Sequence, residues 1–248
     1  MVADDEHHLY SFTERGAPVG ALRLFGGDLP EEPAARKAAK PDLECLAALP
    51  GGRLLALGSG SRPQRTRGAL VDVAAERVQP VDCAELYAAL GRELAELNLE
   101  GAAVRGEQLV LLQRGNGPSG VNAVIELALA GVLDGVAAGR LGGDLLRAVR
   151  PLEVGVLPGG QRLDFTDASP HGDKILFTAA AESSPDTYLD GPCAGSAIGI
   201  LGQRVEALWQ VAGAAKLEGV HAAGRRVWVV ADGDVRGQPA PLYAGELP

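Results

Sequence analysis

Aromatic residues are scarce in this sequence, at 4% of 248 residues, so its apolar mass rests mainly on Ala, Val, Leu and Gly. Cysteine is scarcer still. Cys45, Cys83 and Cys193 lie far apart with no CxxC pair. That odd, sparse count argues against a disulfide scaffold or a zinc cluster and fits a reducing compartment. No run of about eighteen apolar residues is present to span a bilayer as a helix. The opening MVADDEHHLY is acidic where a secretory signal would be basic and then apolar. A cytoplasmic protein with no membrane partner is the expectation.

Positive charge is also short. The formal net charge is −9, whereas nucleic-acid phosphates demand a cationic footprint, so no nucleic-acid partner is expected. The local exception, RPQRTR from Arg62 to Arg67, reads as a solvated hairpin loop rather than an anion site. Arg outnumbers Lys, which with the Ala and Gly content suggests a GC-rich bacterial genome. Several catalytic signatures are missing: no GxSxG elbow, no HExxH, and no GxxxxGK[ST] phosphate loop.

One motif does match a template. Gly115-Asn-Gly117-Pro-Ser-Gly120 satisfies GxGxxG and imitates a dinucleotide-binding turn. Pro118 inside it, and the lack of a following parallel strand with an acidic end, argue against that reading, so no nucleotide cofactor is expected. His7, His8, His171 and His221 are scattered, and His221 reads as a satisfied core residue on an inner strand.

What the chain has in abundance is repetition, which decides fold before any local motif. Four segments align: PDLECLAALPGGRLLALGSGS, LNLEGAAVRGEQLVLLQRGN, LDFTDASPHGDKILFTAAAE and AKLEGVHAAGRRVWVVADGD. Each opens polar, apolar and then usually Glu. An apolar stretch, a Gly-containing turn and four or five β-prone apolar residues follow. The aligned positions are Glu44, Glu100, Thr166 and Glu218, roughly fifty to sixty-five residues apart, as suits a four-stranded propeller blade. RGALVDVAA, VQPVD, GVNAVIELAL, RPLEVGVLP, GSAIGIL, VEALWQV and APLYAGEL supply further strands. Helical spacing over Cys83–Glu96 and Leu129–Leu146 predicts one helix between blades and one inserted before the outer strand of its blade.

The fold expected is therefore an all-β propeller in a single domain of about five blades, over 1–39, 40–96, 97–160, 161–213 and 214–248, with four blades as the alternative. VADDEHHLYSF resembles VADGDVRGQPAPLYAGEL. The first blade is thus expected to be incomplete, the chain opening at the close of that blade's second strand. Either the start is an internal Met, or the two chain ends pair across the closure. An open seam would favour self-association.

Equivalent innermost positions surround a propeller axis. Glu44, Glu100 and Glu218, with Asp167 beside Thr166, form one candidate layer, and Asp42, Asn98, Asp164 and Lys216 lie two residues earlier. Carboxylates so gathered raise one another's pKa or require a cation, and hard oxygen ligands suit one Ca²⁺ or Mg²⁺. The alternative is structural, the glutamates accepting hydrogen bonds from backbone N–H groups of the next blade. The second-strand ends give a rim: Ser59, Arg114, Ala180 and Asp232, then Ser61, Asn116, Glu182 and Asp234. Within it Arg114, Asn116 and Asp232, together with Lys216, are the candidate ligand-binding residues.

The KPDLE…LPGGRLLALGSGS, LNLEGAA…LLQRGNG and KLEGV…VWVVADGD segments resemble an uncharacterised family of bacterial hypothetical proteins with propeller folds. More distantly, E-G followed about a dozen residues later by Asp is similar to gluconolactonase-like propellers and esterase-like phytase domains. That resemblance implies a metal-ligand role for Glu218, shared with Glu100, although the chain has E-G-V and E-G-A where the gluconolactonase-like signature is E-G-P. Two functions stay open. One is a metal-dependent hydrolase of a small ester, lactone or phosphoester, its cation activating water. The other is a non-catalytic module that binds a small molecule or peptide.

Overall fold

The computed structural model describes residues 1–118, 120–182, 192–213, 215–232 and 239–247. Three consecutive four-stranded antiparallel sheets follow one another along the chain. The first holds β3 (Leu43–Leu49), β4 (Arg53–Gly58), β5 (Arg67–Asp72) and β6 (Arg77–Asp82). The second holds β7 (Leu99–Arg105), β8 (Gln108–Gln113), β9 (Ala123–Ala128) and β10 (Leu146–Pro151). The third holds β11 (Asp164–His171), β12 (Lys174–Glu182), β13 (Cys193–Leu201) and β14 (Val205–Gln210). A fourth sheet has three strands, β15 (Lys216–Ala223), β16 (Arg226–Asp232) and β17 (Leu242–Glu246). Ahead of them all, β1 (His8–Phe12) and β2 (Pro18–Arg23) pair as a separate two-stranded sheet.

This is a β-propeller arrangement with four blades, where about five were expected. The correction has a local reason. The N-terminal match to the last repeat is real, but it yields only β1, β2 and an isolated bridge between Val2 and Leu9. Such a sheet lacks the paired inner strands that make a blade.

Burial follows position within a blade. The second strands are near-continuous apolar runs, such as LVLL in β8 and ILFTAAA in β12, because blades cover both of their faces. The outermost strands alternate or turn polar, and Pro80 and Pro151 sit in them, where an edge tolerates a missing N–H. One junction core joins the first two blades, including Cys45, Ala47, Leu99 and Ala102. The next joins the second and third blades through Ala103, Phe165 and Ala168, and the last joins the third and fourth through Leu176, Leu217 and Val220. The hairpin β1–β2 packs Leu9 on Leu43, Ala56 and Val71 of the first blade. At its tip the Glu14 carbonyl accepts from Trp228 Nε1 at 3.3 Å and its carboxylate meets Arg226 at 3.1 Å, both on the fourth blade.

Both expected helices form, each shorter than its apolar periodicity. The first, α2 (Ala84–Glu93), links blades one and two, with the Asp82 carboxylate accepting from the Ala84 amide at 2.9 Å. The second, α3 (Leu129–Ala137), is inserted between β9 and β10 and stops before Gly139, whose φ is 76°. Once that helix ends, the outer strand begins at Leu146, so β10 closes at Pro151 where a strand over RPLEVGVLP was expected to begin. A further short helix, α1 (Pro33–Ala39), was not foreseen; Glu32 caps its Ala34 and Ala35 amides. All three cysteines are free thiols. No helix among the described residues is long and apolar enough to cross a membrane.

The inner strands approach closely where β7 meets β11. A Cβ on Gly101 would fall 2.8 Å from the Ala168 amide nitrogen, backbone against backbone. Gly101→Val is expected to destabilise the fold by roughly 1–3 kcal/mol, the usual cost of overpacking, read from the midpoint of urea unfolding.

Candidate functional site

The repeat position has a geometric meaning that alignment alone does not reveal. In β3, Leu43 pairs with Gly58 and Cys45 with Leu57, leaving Glu44 without a partner. In β7, Leu99 and Gly101 face Gln113 and Leu112, leaving out Glu100. Thr166 in β11 and Glu218 in β15 are skipped in the same way. Each of the four residues is thus the extra member of a β-bulge. Side chains of a regular strand alternate between the two faces of its sheet, here toward neighbouring blades. A bulge breaks that alternation and re-aims one side chain, and three of these four bulges bring a glutamate toward the axis.

Glu44, Glu100 and Glu218 therefore converge. Burial raises Glu44 well above the usual carboxylate range, and the charges of Glu100, Asp42, Asp4 and Glu218 push it further. Burial lifts Glu100 to about 8 against the pull of Arg114. Glu218 rises to about 7, burial again outweighing Lys216 and Arg114. Asp167 is a different case. It accepts the Val220 amide at 2.7 Å, stitching β11 to β15, and burial outweighs that bond to bring it to about 7. Thr166 does parallel work, donating to the Leu217 carbonyl at 2.6 Å. The structural alternative thus describes the third blade's copy, while the glutamates of the other three face the hub.

Basic side chains meet this acid at close range. Arg114 is buried between Glu100, at 3.4 Å, and Glu182, at 2.6 Å. Lys216 sits between Glu182, at 3.0 Å, and Glu218, at 2.7 Å. Lys40 bridges Asp4, Asp5 and Asp42, and Arg65 reaches Asp42 at 2.6 Å and Ser61 at 2.9 Å. Asp42 also accepts from Ser59 and has φ 56°, a left-handed backbone that Asp tolerates. Burial disfavours the ammonium of Lys40, yet Asp4 and Asp42 raise its pKa on balance. Burial likewise opposes Lys216, and Glu218 and Glu182 overcome it.

Of the expected ligand-binding residues, Arg114 and Lys216 are consequently committed to ion pairs inside the protein. Asn116 is half-buried and lies 3.4 Å from the Asn98 amide, which also donates to Glu100 at 2.7 Å. Asp232 is exposed opposite Lys216 in the ladder, and Asp234 lies outside the described residues. Asp164 turns outward, to Asn122 and Arg162.

Lys40 and Arg65 were not foreseen as site residues. Arg65 belongs to the run read as a solvated loop, yet it is 4% exposed, its short turn folding inward under Asp42. A cue was available for Lys40, a lone cation beside Pro41-Asp42 at the start of a repeat. His221 is exposed and stacks on Trp228, not a core residue.

The glycine turn is sealed by the protein itself. Asn122 accepts the Gly115 amide at 3.1 Å, the Gly120 amide bonds Gly117, and Arg162 occupies the Gly115 and Gly120 carbonyls. It leads into β9, not a helix. As for metal, carboxylate oxygens of Asp4, Asp42 and Glu44 lie within 4.8 Å of one another, and Lys40 already sits on two of the three. A shallow depression of about 510 Å³ lies at the other end of the inner strands, among Pro170, His171, Lys174 and Arg225, and holds none of the candidate metal- or ligand-binding residues.

Radial antiparallel sheets around a charged, bulge-lined hub define a β-propeller with a polar axial mouth. A family model described as a family of unknown function (DUF6929) matches residues 1–247, and the chain belongs to that family. No curated protein matches it.

Two outcomes follow from the charges. Carboxyls with folded pKa values above their unfolded ones hold protons more tightly when folded. Their stabilisation is complete below the unfolded value, near pH 4, and is lost as pH rises through about 7 and 8. The melting temperature should therefore fall between about pH 6 and pH 9. Glu44→Gln should flatten that slope and raise the melting temperature at the alkaline end. Arg114→Met removes the ion-pair partner of Glu100 and leaves Glu182 with Lys216, and is expected to cost about 3–5 kcal/mol in urea unfolding.

Proposed function

We propose that the protein is a non-catalytic binding propeller whose axial mouth takes a small molecule bearing a positively charged amino group. One observation carries this reading. Asp42, Glu100, Glu182 and Glu218 each have a cation of the protein against them, whereas Glu44 has no hydrogen-bond or ion-pair partner among the described residues. A charged amine placed there answers the repulsion from Glu100, Asp42 and Glu218 and makes a charge-assisted hydrogen bond in a partly dry site. Ser61 and Asn116, both half-buried at the rim, offer neutral polar contacts for the rest of such a ligand. Ser59 donates to Asp42, whose carboxylate already carries Lys40 and Arg65, an arrangement that suits a held hydroxyl better than an activated nucleophile and favours binding over turnover.

A second reading, hydrolysis of a small ester, lactone or phosphoester at a bound Ca²⁺ or Mg²⁺, draws support from the Asp4, Asp42 and Glu44 oxygens. It requires Lys40 to leave two of those three carboxylates, which disfavours it.

Calorimetric titration with small amines (an amino acid, an amino sugar, a diamine) separates the two. Saturable binding by one of them, weakened about 10- to 100-fold by Glu44→Gln, is expected for a charge-assisted contact. Affinity unchanged in that variant would refute the amine site. A melting temperature raised by Ca²⁺ or Mg²⁺ in the parent protein and not in Glu44→Gln would move the assignment to the metal.

A further inference from the structure

At the end remote from the axial mouth, the inner hairpins of the second, third and fourth blades close alike. Arg105 pairs with Gln108, His171 with Lys174 and Ala223 with Arg226, each across a glycine at positive φ and one further residue. Arg105, His171 and Ala223 thus hold one position in the repeat, just before the turn glycine. Arg105 uses its length. Its guanidinium reaches from the second blade to the Gly202 carbonyl of the third at 3.2 Å, held by Glu126 at 2.9 Å, and closes that junction. His171 is too short to do the same, and its ring has no hydrogen-bond or ion-pair partner among the described residues. The depression of about 510 Å³ lies at this next junction, between the inner turns of the third and fourth blades.

Its polar lining is rich in donors. Arg225, the second residue of the fourth blade's turn, donates through Nη2 to the Leu247 carbonyl at 2.8 Å. That bond fixes the guanidinium and leaves its other nitrogens without an acceptor among the described residues. A guanidinium already held in place loses less freedom on binding and offers a planar fork to an oxyanion. His171 adds a ring N–H, and Lys174 an ammonium shared with Glu206. Asp173 lines the same depression and, as a carboxylate, can only accept. Pro170 and Ala222 supply apolar surface. The volume falls within the range of small-molecule sites, roughly 300–1,000 Å³.

We infer that this depression binds a small hydroxylated organic anion, its carboxylate or phosphate group on Arg225 and His171 and a hydroxyl on Asp173. The space follows from one side-chain exchange within the repeat, a histidine where the preceding junction has Arg105. It does not come from loose packing, since Ile175 and Leu176 behind it are fully buried. Asp173 sets the selectivity: its charge repels a second anionic group, and its oxygens accept from a hydroxyl. The site stands at the opposite end of the inner strands from Glu44 and is independent of the amine reading.

The test titrates the full chain calorimetrically with glycerol 3-phosphate and with glycerate, and with methyl phosphate and acetate as anions that lack the hydroxyls. Expected is saturable one-to-one binding of one or both hydroxylated anions, and which of them binds tells phosphate from carboxylate. Arg225→Gln should weaken that binding about tenfold or more, and Asp173→Asn should narrow the preference for the hydroxylated anion. His171→Arg places at this junction the side chain that closes the preceding one. It should abolish binding while keeping or raising the melting temperature, and it should leave amine binding at the mouth unchanged. No saturable binding of either hydroxylated anion, equal binding of methyl phosphate or acetate, or affinity unchanged in Arg225→Gln or in His171→Arg would overturn the inference.

Discussion

An inner propeller strand has neighbours on both faces, so a side chain that is to meet the axis must escape the two-residue alternation. The bulges at Glu44, Glu100, Thr166 and Glu218 provide that escape. Much of the hub follows from this constraint. A carboxylate aimed at the axis meets those of other blades in a space poor in water, where like charges and desolvation both favour the neutral form. Counter-charges must then enter the same space, and they come from places a bulge can reach: the residue two earlier (Lys216), the end of the second strand (Arg114), and the segments flanking the first blade (Lys40, Arg65).

These cations also join parts of the chain that are distant in sequence. Arg114 ties the second blade to Glu182 of the third, and Lys216 ties Glu182 to the fourth. Lys40 ties the start of the first blade to Asp4 and Asp5 in the N-terminal segment. Such buried pairs contribute little net stability over apolar packing, because desolvation offsets most of the attraction. Breaking one is costly all the same, and that penalty fixes the relative setting of blades whose apolar contacts, largely Ala, Val and Leu, would tolerate small slides. The charged hub acts as a registration device laid over a nonspecific hydrophobic core.

The blades were legible because each repeat writes its own turn and its own pair of apolar strands; the E-G and glycine-turn spacing carries that information locally. Convergence of Glu44, Glu100 and Glu218 was legible too, since equivalent positions in a propeller must surround one axis. The blade count was not. The N-terminal stretch matches the outer part of a repeat, and similarity of outer strands carries no statement about inner ones. Arg65 was misread because a basic run in a loop looks the same whether its residues point out or fold under an aspartate. Asp167 looked interchangeable with its glutamate neighbours, yet a shift of one residue past the bulge turns it from the axis to the Val220 amide.

The near neighbours of each acid explain why one differs from the rest. Glu100 is flanked by complete blades and receives Asn98 and Arg114 from its own. Glu218 has Lys216 two residues before it, paired with it at 2.7 Å. For Glu44 the residue two before it is Asp42, an acid whose own cations, Lys40 and Arg65, are already engaged. Asp4, which also comes close to Glu44, is an acid as well. Glu44 therefore stands among Glu100, Asp42, Asp4 and Glu218, and protonation or a cationic ligand is what relieves that repulsion.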